Sequence, residues 1–157
     1  PMAIIKPNNN TLSAITTLPF GTGKVLQVVT GTTSSSTATS AGSFVATSLT
    51  ANITPSATSS KIVALVCGGE ADTGANGRNM HSTIFRDSTN LGNSTAGMVT
   101  NYGASSRIQG NSSVGIVDSP SSTSQLTYTL YIKSGGGSVT LNANSCLTSL
   151  ILMEVAG

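Results

Sequence analysis

Cys146-Leu-Thr-Ser-Leu-Ile-Leu-Met-Glu-Val155 is the stretch on which the fold class turns. It has no Gly or Pro, it is too short for a membrane span, and it follows the turn-forming run Asn142-Ala-Asn-Ser145. Branched and large apolar residues in a short bounded run read as a β-strand. Side chains alternate along a strand, so Leu147, Ile151, Met153 and Val155 point one way and Leu150 and Leu152 the other. Both faces are therefore apolar. One face can fill a core. The other needs a second cover, either a neighbouring subunit or another part of the chain, and a symmetric oligomer supplies it most economically.

Working outward, Lys61-Ile-Val-Ala-Leu-Val-Cys67 is also apolar on both faces, whereas Leu126-Thr-Tyr-Thr-Leu-Tyr-Ile-Lys133 alternates cleanly. Lys24–Thr30, Phe44–Thr50 and Asn79–Arg86 read as further strands, with shorter ones at Gly97–Tyr102, Ser113–Val117 and Val139–Leu141. In Asn79–Arg86, Met80, Ser82, Ile84 and Arg86 face one way, opposite His81, Thr83 and Phe85. Gly135-Gly-Gly137 marks a tight reversal. Thr30–Ser43 and Gly68–Gly77 read as long loops at one end of the domain. No segment has sustained helical periodicity. Many short strands separated by turn signals predict an all-β, antiparallel jelly roll or β-sandwich over residues 24–157. Residues 1–23 read as an extended arm: Ile4, Ile5, Leu12, Ile15, Leu18 and Phe20 follow no clean period, and Pro7 and Pro19 oppose a long helix.

Composition narrows the function. Charged residues are 8% of the chain, against about 25% in an average soluble domain. The net charge of +2 comes from scattered Lys and Arg, so no basic footprint for nucleic acid is present. No apolar run reaches membrane-spanning length. Cys67 and Cys146 lie in apolar strands and read as buried thiols, with a disulfide between them left open. Glu70 and Asp72 share a Gly-rich loop with Asn76, which reads as loop polarity rather than a Ca²⁺ site. Asp87 and Asp118 each open a turn, where a carboxylate bonds a backbone N–H two residues on. His81 and Ser82 point to opposite faces, no Gly-x-Ser-x-Gly elbow exists, and Gly21-Thr-Gly-Lys24 lacks phosphate-loop spacing. The expectation is no enzyme, with no catalytic, cofactor-binding or metal-ligating residues.

Several runs resemble motifs of small jelly-roll virion structural proteins of tailed bacteriophages, the cyanophage and marine-phage type. They are Gly23-Lys-Val-Leu-Gln-Val-Val29, Phe85-Arg-Asp-Ser-Thr89 with Leu91-Gly92, Val117-Asp-Ser-Pro-Ser-Ser-Thr-Ser124 with Leu126-Thr-Tyr-Thr-Leu130, and Leu150-Ile-Leu-Met-Glu-Val155. In order, they span most of the chain from Gly21 onward. The resemblance implies a trimeric domain shaped like a complement-type head, used as a capsid decoration, spike or fibre tip. Lacking the shaft and anchoring domains of long fibre proteins, the chain is expected to be a homotrimeric cement protein on the virion surface.

In that reading Ile4, Ile5, Leu12, Ile15, Leu18 and Phe20 bind the phage major capsid protein, and Leu147, Ile151, Met153 and Val155 form the trimer interface. The alternative is a glycan-binding fibre tip, with Asp72, Asn76 and Arg78 touching host-surface glycans. Neither reading calls for a cofactor, nucleic acid or a membrane.

Overall fold

The computed structural model describes residues 23–157. Along the chain run β1 (Val25–Thr33), β2 (Thr37–Thr39), β3 (Val45–Ile53), β4 (Lys61–Gly68), β5 (Glu70–Asp72), β6 (Arg78–Arg86) and β7 (Thr89–Asn90). Then follow β8 (Val99–Gly103), β9 (Gln109–Asn111), β10 (Val114–Asp118), β11 (Leu126–Ser134), β12 (Val139–Leu141) and β13 (Thr148–Val155). The described residues contain no helix. All pairings are antiparallel, as expected for a β-sandwich.

Two large sheets face each other. The first has the order β1-β13-β4-β10. The second has the order β3-β11-β6, and the outer edge of β6 is shared: β8 pairs with Arg78–Ser82 and β7 with Phe85–Arg86. Alternation drives the packing. Leu126, Tyr128, Leu130 and Ile132 of β11 turn inward and are buried, while Thr127, Thr129 and Tyr131 stay half-exposed. Leu49, Ala51 and Ile53, Ile62, Ala64 and Val66, Met80 and Ile84, and Leu150 and Leu152 complete the core. Each large side chain so buried contributes about 1.5–3 kcal/mol. At β1 the two sheets come close enough that a Cβ on Gly31 would collide with the Thr50 carbonyl oxygen, so only glycine fits there.

A third, small sheet, β2-β12-β5-β9, closes the end of the sandwich where β1 finishes and β13 begins. Ala71, Val139 and Leu141 extend the core into it. At the opposite end Gly23 N–H donates to the Ala156 carbonyl and Ala156 N–H to the Lys24 carbonyl. The described chain therefore enters beside the place where it leaves.

Three expectations are corrected. Thr30–Ser43 is not a loop: β1 continues to Thr33 and β2 occupies Thr37–Thr39. Gly68–Gly77 contains β5, whose three residues are all buried. Cys67 and Cys146 are exposed free thiols, because Cys67 takes the outward register of β4 and Cys146 precedes β13. The predicted arm, apart from Gly23, lies outside the described residues, and with it Ile4, Ile5, Leu12, Ile15, Leu18 and Phe20.

Candidate interaction surfaces

The outer face of the first sheet is apolar over much of its width. Register places Val28 beside Met153, Met153 beside Val63, and Val63 beside Val117, one row across all four strands. Val28 is 56% exposed and Val117 62%. The adjacent row is Thr30, Ile151, Leu65 and Gly115. A Cβ on Gly115 would lie 2.6 Å from Leu65 Cδ2, so the leucine side chain spreads over the glycine. Val25, Val155 and Lys61 form the row nearest the chain's entry. Toward the capped end the face turns polar with Thr32, Ser149 and Cys67. The outer strand axes are about 14 Å apart and alternate rows about 7 Å.

Ile151, Met153 and Val155, read from the sequence as interface residues, are half-exposed on this face. Leu147 is 66% exposed just ahead of β13. Val28 and Val117 carry no sequence signal of their own; only the strand register assembles them with the rest.

Four of the five carboxylates, all but Asp87, are engaged inside the fold. Glu154 is fully buried. Its Oε1 accepts from Ser56 N (2.7 Å), Ser56 Oγ (2.6 Å) and Ser60 Oγ (2.7 Å), and its Oε2 from Gln27 Nε2 (2.6 Å). Burial pushes this carboxyl up, but the bonds from Ser56, Gln27 and Ser60 outweigh it and hold it at about 2. Asp118 receives Arg86 Nη1 on both oxygens (2.8 and 2.7 Å) and the Tyr128 hydroxyl (2.7 Å), joining the two large sheets. Burial, then the bond to Asp118, drives the Tyr128 hydroxyl well above its ordinary range. Glu70 accepts from Gln109 Nε2 (2.6 Å) and from Asn144 Nδ2 (3.0 and 2.9 Å). Asp87 accepts from Thr127 N–H at 3.0 Å. The turn bonds expected of Asp87 and Asp118 are thus replaced by bonds to distant strands.

The three residues read as glycan contacts do not form one open site. Asp72 is buried, and Arg107 Nε and Nη2 donate to its two oxygens at 2.8 and 2.5 Å. That bond to Arg107 holds its carboxyl below the usual range. Arg78 lies against Gly74 and Gly137, and its Nη1 donates to the Ser138 carbonyl at 3.0 Å, pinning two loops. Asn76 is exposed between them.

The outer face of the second sheet is different in kind. Phe85 and Tyr131 stack with ring centroids 4.0 Å apart, and Phe44 meets Phe85 edge-on at 6.1 Å. Lys133 Nζ sits 4.8 Å from the centre of the Phe44 ring, and Lys133 is only 9% exposed. Its cross-strand neighbour is His81, whose Nδ1 shares a 2.7 Å hydrogen bond with Thr100 Oγ1. Burial, then the charge of Lys133, lowers His81 below the usual histidine range.

No protein-family model matches the chain, and no curated protein matches it. Among solved structures it is similar to a mutant VP2 protein of infectious bursal disease virus in derived T=1 particles, with 19% identity and a TM-score of 0.40. That match covers 83% of this chain and 38% of the other. A viral particle of the same virus gives 17% identity and a TM-score of 0.39, covering 83% of this chain and 37% of the other. The chain thus spans less than two-fifths of those proteins.

Proposed function

We propose that the protein is a structural component of a bacteriophage virion, a homotrimer that decorates the capsid and stabilises the shell through non-covalent contacts. The supporting observation is the outer face of the β1-β13-β4-β10 sheet. An apolar patch that crosses a whole sheet marks an interaction surface. Burying about 300 Å² of it per subunit would contribute roughly 7 kcal/mol before the costs of association. Four carboxylates that tie strands together internally also fit a part whose task is to persist rather than to react. In this reading the sister subunits cover Ile151, Met153 and Val155, and residues 1–22 engage the major capsid protein.

The test is the mass of the full chain in solution at micromolar concentration. Three chains per particle are expected. A monomer would overturn the assembly, and a stable dimer would keep the interface but reject the threefold arrangement. A second arm measures retention on purified shells: removing residues 1–22 should abolish it while leaving the strand spectrum by circular dichroism intact.

A further inference from the structure

We infer that the open edge of β10 is a strand-addition site for a second copy of this chain, the two copies pairing antiparallel about a twofold axis at Ile116. Register fixes which backbone groups are open there, because successive residues of a strand turn their N–H and C=O to opposite edges. Ala156 donates to the Lys24 carbonyl and accepts from Gly23, so the even-numbered residues of β13 face β1. The odd-numbered ones therefore bond β4 at Val63 and Leu65, which leaves Ala64 and Val66 to bond Ile116 and Val114 of β10. Gly115 and Val117 turn their backbone groups away from the sheet. Among the described residues no hydrogen bond engages them on that side.

Such an edge is a template for another strand, and proteins usually blunt it with a bulge, a proline or a charge. The edge strands β1 and β3 are blunted: β1 shifts register between Val25 and Gln27, and β3 shifts where it meets Thr129 and Tyr131. β10 is not. It pairs with β4 in unbroken register from Val114 to Asp118 and contains no Pro. Its one charge, Asp118, is the last residue and is neutralised by Arg86.

The edge also complements itself, which is what a twofold contact requires. With Ile116 of both copies at the axis, the whole of β10 overlaps, and Gly115 and Val117 exchange backbone bonds with Val117 and Gly115 of the second copy. On the outer face Val117, 62% exposed, comes to lie beside Gly115 of the second copy, where Leu65 spreads over the missing side chain. Large meets small in both halves. The two four-stranded sheets become one, and the apolar row Val28, Met153, Val63 and Val117 continues into Gly115, Leu65 and Ile151 of the second copy. This edge is distinct from the face assigned above to the trimer. Threefold units joined by twofold edges spread over a surface, so the pairing would link neighbouring trimers on a shell.

The test is amide hydrogen exchange of the full chain, with light scattering, at about 10 μM and about 1 mM, since a contact this small is weak. Gly115 and Val117 should exchange about tenfold more slowly at the higher concentration, and the average mass should rise. Val117→Pro removes an outward N–H and no bond to β4, so it should abolish both effects while the far-ultraviolet circular dichroism is kept. Val117→Lys should do the same by charge if the proline variant folds poorly. Unchanged exchange at Gly115 and Val117 in the wild type would overturn the inference, as would slowing that survives in a folded variant. Slowing that includes Val28 and Thr30 would assign a head-to-tail contact between β10 and β1 and reject the twofold pairing. The mass at low concentration tests the trimer and the change with concentration tests the edge, so the two can fail separately.

Discussion

Glu154→Gln should remove a contribution to stability that depends on pH, so the loss it causes should itself depend on pH. The carboxyl titrates near 4.5 in an unstructured chain and at about 2 in the fold. That difference corresponds to about 3 kcal/mol at neutral pH. Because the folded value is the lower one, the contribution is complete above pH 5, about half remains at pH 3, and it vanishes below pH 2. Glutamine keeps an acceptor for Ser56 and Ser60 but turns an N–H₂ donor toward the Gln27 Nε2 donor. The variant should therefore be about 2–4 kcal/mol less stable than the wild type at pH 7, and the gap should shrink toward pH 3. Urea unfolding followed by far-ultraviolet circular dichroism, at one protein concentration and at pH 7, 5 and 3, measures this. A gap below 1 kcal/mol at pH 7, or one that does not change with pH, would refute the reasoning.

Other outcomes are equally checkable. Leu150→Ala empties a fully buried position between the sheets and should cost about 2–5 kcal/mol in urea unfolding. Tyr128→Phe removes one donor from the Asp118 carboxylate but leaves Arg86 in place, so the same assay should show a loss of about 1.5–3 kcal/mol. Cys67, on the outer face of the first sheet, should react more slowly with a thiol reagent as protein concentration rises. Met153→Lys should remove that protection and yield a folded monomer by light scattering, since Met153 is half-exposed in the single chain.

Long strands were legible because their information is local. β11 and β6 follow from alternation inside the segments themselves, and the doubly apolar β4 and β13 announced an outer face needing cover. Of the capping sheet only β12 was legible, as the short strand Val139–Leu141; β2, β5 and β9 have three residues each and sit in runs of turn-forming residues. The carboxylates were misread for a related reason. Asp118 has the composition of a turn opener, yet its partner Arg86 lies 32 residues away. Gln27 and Glu154 are separated by 127 residues. A side chain's preference for a hydrogen bond is written in its type, but the identity of its partner depends on register across strands. Cys67 shows the same limit: an apolar strand fixes which residues share a face, not which face meets solvent. Lys133 looked like one more polar residue in the alternation, and only the fold brings the Phe44 ring against its ammonium.

The adjacency of Gly23 and Ala156 at one pole sets how the domain bears load. A pull on the segment ahead of Gly23, resisted at the capping sheet, runs along β1. Antiparallel hydrogen bonds lie perpendicular to the strands, so the whole β1–β13 ladder from Val25 to Thr33 is sheared at once. A pull that separates Gly23 from Gly157 meets the same ladder end-on and opens it one pair at a time. The domain is therefore mechanically stiff when pulled between its N-terminal side and the capping sheet, and weak when its two ends are drawn apart.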